Sequence, residues 1–275
     1  MRPVSLVIND QLVERLMPAA EQEAMTGVRW GDPWALFTPA YWLAQGWMAE
    51  LDVKPVTHYR ARGDAVHELV FCLLGGYGIT AEMAHAAYER CLEAGLVERR
   101  DADAAAWTTV LQTRLTVGGR ETHYRYPNQK AKFIAGAMAA IHSEPLRLDS
   151  GRALRDQLLV LKGVGYKTAS WVARNILDCD DVAILDVHLI RAGQLCGFYS
   201  HTDRVEREYI RMESLFLEFC RVLRLRPAAM DCLMWDHMRE AGDLPLKMLA
   251  SAQSARTDHP KKRSTLETVQ LSPPA

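Results

Sequence analysis

Lysine, aspartate and a glycine-paired turn stand together in one stretch of this chain. In Leu158-Leu-Val-Leu-Lys-Gly163-Val-Gly165-Tyr-Lys167-Thr-Ala-Ser-Trp-Val-Ala-Arg-Asn175, a short apolar helix runs into Gly163-Val164-Gly165 and a second helix begins at once. Lys167 falls in the first turn of that second helix, where the helix dipole disfavours a cation. A groove wall that stripped water from it would act in the same direction, and both effects drive the amine toward its neutral, nucleophilic form. A lysine meant to attack carbon wants such a place, although surface lysines are also tolerated there. Nineteen residues on, Ala183-Ile-Leu-Asp186-Val-His188-Leu-Ile-Arg191 puts a carboxylate straight after an apolar run. On local sequence alone, Asp186 is well placed to cap the helix that follows.

The elements that must hold these groups read as helical throughout, and the fold class is all-α. The lysine-bearing stretch is a helix-hairpin-helix, with helices expected over 156–161 and 168–177. Two glycines allow a tight turn with N–H groups pointing outward, and the following helix start adds positive charge, so the turn suits a phosphate. Such contacts position a duplex without reading its sequence, and the same turn equally describes an ordinary helix-helix corner. Thr38 before Pro39, Asp64 and Thr80 each open a helix, and Gly75, Gly76 and Gly95 close two of them. Further helices are expected over 128–141, 186–195, 206–225 and 227–240, with a small hairpin around Gly118-Gly119. Four of the seven tryptophans lie between Trp30 and Trp47, a density that either stacks on a flipped base or packs as a helix seam. From Ser251 to Ala275 the chain turns polar, with Lys261, Lys262 and Arg263 in a row, and reads as a disordered tail.

The 275 residues are 49% hydrophobic and 24% charged, values of a folded globular protein that exclude collagen-like, disordered and disulfide-scaffold classes. No apolar run approaches the roughly 18 residues of a membrane span and the start has no secretory apolar region, so the expected place is the cytoplasm. The six cysteines lie 12 or more positions apart, without a CxxC pair, and are expected as reduced thiols with no metal or cofactor site. A formal net charge of −1 argues at first against nucleic acid. The distribution says otherwise: 114–132 and 152–174 each carry a net +4, while acid gathers over 82–103 and at Asp178, Asp180 and Asp181. One basic face on an otherwise acidic molecule, or a pair of solvated helix faces, accounts for this.

Taken together, Leu161-Lys-Gly-Val-Gly-Tyr-Lys167-Thr-Ala169 and Ile184-Leu-Asp186-Val-His188 resemble the signature of the helix-hairpin-helix DNA glycosylase superfamily, most closely its compact prokaryotic 8-oxoguanine branch. Tyr126-Pro-Asn-Gln-Lys130-Ala-Lys132-Phe-Ile and the Met234-Trp235 helix are similar more loosely. The resemblance implies two helical domains flanking a DNA-binding cleft: 64–181 with the hairpin and Lys167, and 1–63 plus 182–250 with Asp186, followed by the tail 251–275. It implies excision of an oxidised purine through a Schiff base on Lys167, with Asp186 steadying the cationic sugar, and strand nicking as an AP lyase. Gly163, Val164, Gly165, Lys130, Lys132 and His188 would hold DNA phosphates. Tyr77 is the candidate wedge that fills the gap left by the flipped base, or else a turn tyrosine resting on the surface. The implied partner is duplex DNA with a damaged base, met by a monomer that needs no cofactor. The four-cysteine iron-sulfur loop of the endonuclease III branch is absent. Two other readings stay open: a glycosylase of the same fold for a different base, and a helix-hairpin-helix protein that grips DNA without chemistry.

Overall fold

The computed structural model describes residues 2–51 and 63–257. The chain opens with β1 (Arg2–Ile8) and β2 (Gln11–Met17), an antiparallel hairpin turned by Asn9 and Asp10, both at positive φ. That two-residue turn twists with its strands, and alternation along β1 buries Val4 while leaving Val7 exposed. The sequence reading missed this hairpin because exposed Val7, Leu12 and Leu16 on its outer face and Arg15 on its inner one blur the apolar alternation a strand needs to be read. β3 (Glu23–Met25) and β4 (Val28–Arg29) make a second small pair before α1 (Pro39–Leu51), whose first turn is capped by the Thr38 hydroxyl accepting from Tyr41 N–H.

Next come α2 (Ala65–Leu74), capped by Asp64, α3 (Ala81–Glu93), capped by Thr80, and α4 (Ala104–Leu111), capped by Asp103. The last was not anticipated. β5 (Arg114–Val117) and β6 (Arg120–His123) form the hairpin expected at Gly118-Gly119. α5 (Pro127–Ser143) leads to α6 (Gly151–Leu158) and α7 (Tyr166–Leu177), the two arms of the helix-hairpin-helix. α6 starts earlier than the sequence suggests, since Ser150 caps it by accepting from Ala153 N–H. α8 (Val187–Cys196), α9 (Val205–Leu223), α10 (Pro227–Glu240) and α11 (Leu244–Thr257) complete the chain. α11 carries the fold past Ser251, so the first part of the expected tail is helical. Lys261, Lys262 and Arg263 lie outside the described residues.

Buried apolar side chains fall into two clusters. One runs from Val4 to Trp47 and resumes from Ala183 to Met238. The other spans Val66 to Val182. Three of the four crowded tryptophans, Trp30, Trp42 and Trp47, sit in the first cluster, whereas Trp34 is exposed. The chain therefore passes from one core to the other between Val182 and Ala183, three residues before Asp186. No described helix is long and apolar enough to cross a membrane.

Candidate active site

The hairpin between α6 and α7 is built by local constraints. Val164 is buried as a plug and its N–H bonds Leu161 C=O at 3.1 Å, pulling the turn tight. Gly163 has φ of +90° and lies against the Phe133 ring, so both its backbone and its missing side chain are required here. Gly165 is different. Its φ of −105° is open to any residue and, among the described residues, a Cβ there would meet nothing within 4 Å, so its bareness leaves free space before the α7 start. Among the described residues no side chain caps that start. Val164 thus drops out of the phosphate-facing set, because its N–H is already spent inward, while Gly163 and Gly165 remain exposed.

Lys167 is the second residue of α7 and is exposed. The desolvation anticipated for it is therefore not supplied by the chain's own atoms. Asp186 has the opposite surroundings. It is buried, and its Oδ1 accepts N–H groups of both His188 and Leu189 at 2.9 Å, the N-cap of α8 that its position suggested. Among the described residues Oδ2 takes no hydrogen bond. Although the two groups grow from different cores, Asp231 lies within electrostatic reach of both Lys167 and Asp186, and so does His188.

His188 is half-buried, its ring edge-on to Trp235 with centroids 5.8 Å apart, and its Nδ1 is buried with no hydrogen-bond partner among the described residues. Burial pushes its imidazole below the ordinary value; Asp186 pulls it back up, and Arg191, Lys167 and Arg239 press it down further. Tyr77 stands at the tip of the loop between α2 and α3 with 94% of its surface exposed. Lys130 is not free at the surface as expected of a phosphate ligand. It is half-buried, its ammonium donates to Gly75 C=O at 2.6 Å, and burial lowers its pKa. With Arg125 on Gly78 C=O it holds the Tyr77 loop, and Lys132, two residues on and turned to another face of α5, is exposed.

The charge map needs a second correction. Arg155 and Arg174, counted above with a basic face, are buried. Arg155 Nη1 meets Glu213 Oε2 at 2.5 Å and Arg174 Nη1 meets Asp231 Oδ2 at 2.9 Å. Arg155 and Arg174 come from the two hairpin helices, and Glu213 and Asp231 from α9 and α10 of the other core. The sequence reading missed Tyr209, Glu213 and Asp231 entirely. A signal existed: Glu213 and Asp231 interrupt apolar helix stripes, the first among Tyr209, Met212 and Phe216, the second beside Met230 and Met234. A charge on a buried stripe requires a buried partner.

Compared with known proteins, residues 51–225 match a family model described as Ogg-HhH, 8-oxoguanine DNA glycosylase. The 8-oxoguanine DNA glycosylase/AP lyase of Picrophilus torridus is 30% identical over 119 residues, 42% of this chain and 56% of the relative. The match thus spans little more than half of that relative's length. The protein of the same name from Korarchaeum cryptofilum is 28% identical over 188 residues, 64% of this chain and 80% of the relative. In fold, the chain is similar to the crystal structure of the 8-oxoguanine DNA glycosylase of Thermotoga maritima, with a TM-score of 0.52 at 22% identity, covering 72% of this chain and 95% of that one.

Proposed function

The chain belongs to the 8-oxoguanine DNA glycosylase family of helix-hairpin-helix proteins, and from that premise we propose that it excises 8-oxoguanine from duplex DNA and nicks the strand as an AP lyase. One observation carries the assignment of roles: an exposed lysine on a helix start without a side-chain cap and a buried aspartate that caps the next helix, supplied by different cores, both lie within electrostatic reach of Asp231. Duplex DNA lies in a cleft between the two lobes, 64–181 on one side and 1–63 with 182–250 on the other. Gly163 and Gly165 present N–H groups to a phosphate, with Lys132 and His188 as further contacts. Tyr77 enters the stack as the damaged nucleotide swings out.

Asp186 Oδ2 then faces the sugar and stabilises positive charge as the N-glycosidic bond lengthens. Lys167, having given up a proton, forms a C–N bond to the anomeric carbon through its Nζ lone pair. The base leaves with the electrons of the broken bond and takes up a proton. Opening of the sugar ring gives the Schiff base, loss of a C2′ proton expels the 3′ phosphate, and hydrolysis of the imine frees Lys167. Asp186 takes part in these proton transfers. The enzyme acts as a monomer, in the cytoplasm, without a cofactor.

A panel of duplexes carrying single lesions, scored for nicking, tests the reading. Cleavage confined to the 8-oxoguanine duplex is expected. Cleavage at another base would keep the chemistry and change the substrate, and binding with no cleavage on any duplex would leave a DNA-gripping protein.

A further inference from the structure

Three side chains of the Asp186 lobe reach the hairpin with one end and the same short backbone run with the other. Glu213 Oε2 holds Arg155 of α6, while its Oε1 accepts Ala183 N–H at 3.0 Å. Asp231 Oδ2 holds Arg174 of α7 at 2.9 Å, and the Ile184 backbone lies near enough to favour its ionised carboxylate. The Tyr209 ring stacks on Tyr166, the neighbour of Lys167, with centroids 4.8 Å apart and planes 18° from parallel. Its hydroxyl donates to Ala183 C=O at 2.7 Å and accepts Leu185 N–H at 3.3 Å. The hydrogen bonds of Glu213 and Tyr209 therefore land on residues 183 and 185, Asp231 stands beside residue 184 between them, and the next residue is Asp186.

Resting on the activity proposed above, we propose that Tyr209, Glu213 and Asp231 are positioning residues that set the separation and orientation of Lys167 and Asp186. General adhesion between lobes would scatter its contacts along the interface. The exposed pairs of Arg226 with Asp178 and Asp180 are contacts of that kind, whereas the buried Tyr209, Glu213 and Asp231 converge on the segment that delivers one reacting group and on the helices that deliver the other. Arg174 follows Lys167 by two helical turns on the same face, so fixing it fixes the roll of α7 and the direction of Lys167. A run held at residues 183 and 185 resists both sliding and twisting. Net stability is a weak reason for such pairs, since well-packed apolar residues of similar volume serve as well or better. Geometry is a strong reason: misplacing a reacting group by about 1 Å can slow a reaction on the order of 100-fold.

The test uses the full chain and a duplex with one 8-oxoguanine, read as single-turnover excision rate, duplex Kd and Tm. Tyr209→Phe keeps the stack and removes only the hydroxyl, and is expected to slow excision about 10-fold with Kd within about twofold. The paired change Arg174→Met with Asp231→Leu replaces ions by apolar groups, so Tm should stay near that of the wild type while excision remains slowed by roughly 10- to 100-fold. Excision at the wild-type rate in the paired variant with Tm retained, or in Tyr209→Phe, would overturn the inference and reduce these residues to lobe adhesion. A wild-type protein that neither excises nor nicks would instead overturn the proposed activity, and the inference with it.

Discussion

The starts of α7 and α8 face the same difficulty, backbone N–H groups with no partner inside the helix, and they meet it differently. At α8 the Asp186 carboxylate fills the gap itself, buried and fixed by two N–H groups. At α7 no side chain does so, Gly165 leaves open space in front, and Lys167 stands exposed in the first turn. The closed start holds a charge in one place. The open start is left for something outside the chain, and in the proposed reaction that is the phosphate and sugar of DNA. A group that must stabilise a cation benefits from rigidity, whereas a nucleophile that must form and release a bond needs access.

Several changes would break or sharpen this contrast. Asp186→Asn retains an oxygen that can cap α8 but not the negative charge, so excision should fall by about 100- to 1,000-fold while duplex binding and Tm stay near normal. An unchanged single-turnover rate would leave Asp186 a helix cap alone, and loss of folding would make capping its larger role.

Next in size is a pH effect through the carboxylate behind both starts. Burial holds Asp231 above the ordinary carboxylate range, Arg174 and Lys167 of α7 pull it down, and Asp186 pushes it up. Tyr209 and Cys220 on α9 and the adjoining Cys232 are themselves shifted upward by burial and stay neutral in the acid range. Ionised Asp231 grips Arg174, and protonated Asp231 does not. Excision should therefore decline as pH falls through a value above the usual carboxylate one, and Asp231→Asn should remove that limb of a rate-against-pH profile. Stability runs the other way. The folded chain keeps this proton more tightly than the unfolded one, so the group's contribution is complete below the unfolded value and is lost as pH rises through the folded one. Finding the same acid limb in Asp231→Asn would assign it to another group.

The smallest effects separate the two hairpin glycines. Gly163→Ala meets both a positive φ and the Phe133 ring, and should lower stability by about 1–3 kcal/mol in denaturant titrations. Gly165→Ala meets neither, so stability should move by less than about 1 kcal/mol. Its added methyl points into open space where the proposed phosphate would approach, and duplex Kd should weaken about fivefold, roughly the net worth of one hydrogen bond. Equal binding losses with equal stability losses would remove the distinction between a fold glycine and an approach glycine.

How much of this was legible in the sequence differs by element. Helices with a capping side chain and an apolar stripe, such as α2 at Asp64 and α3 at Thr80, announce themselves because both signals are local. So does the lysine-glycine-aspartate constellation, whose spacing reflects one turn and one crossing between cores. Partnerships across the chain were not legible. Arg155 and Arg174 read as surface charge until Glu213 and Asp231, 58 and 57 residues away, are brought beside them by the fold. Lys130 likewise read as a phosphate ligand until its distant partner, Gly75 C=O, came into view. Local pattern shows which residues a helix buries, and only tertiary structure shows which buried charge answers another.

The most direct measurement is reductive trapping at Lys167. Borohydride added during turnover on an 8-oxoguanine duplex should reduce the imine and leave a covalent protein-DNA adduct, and Lys167→Gln, which cannot form an imine, should give none while still binding the duplex. Base excision by the wild-type chain without any trappable adduct, or an adduct that survives in Lys167→Gln, would contradict the assignment of Lys167 as the nucleophile.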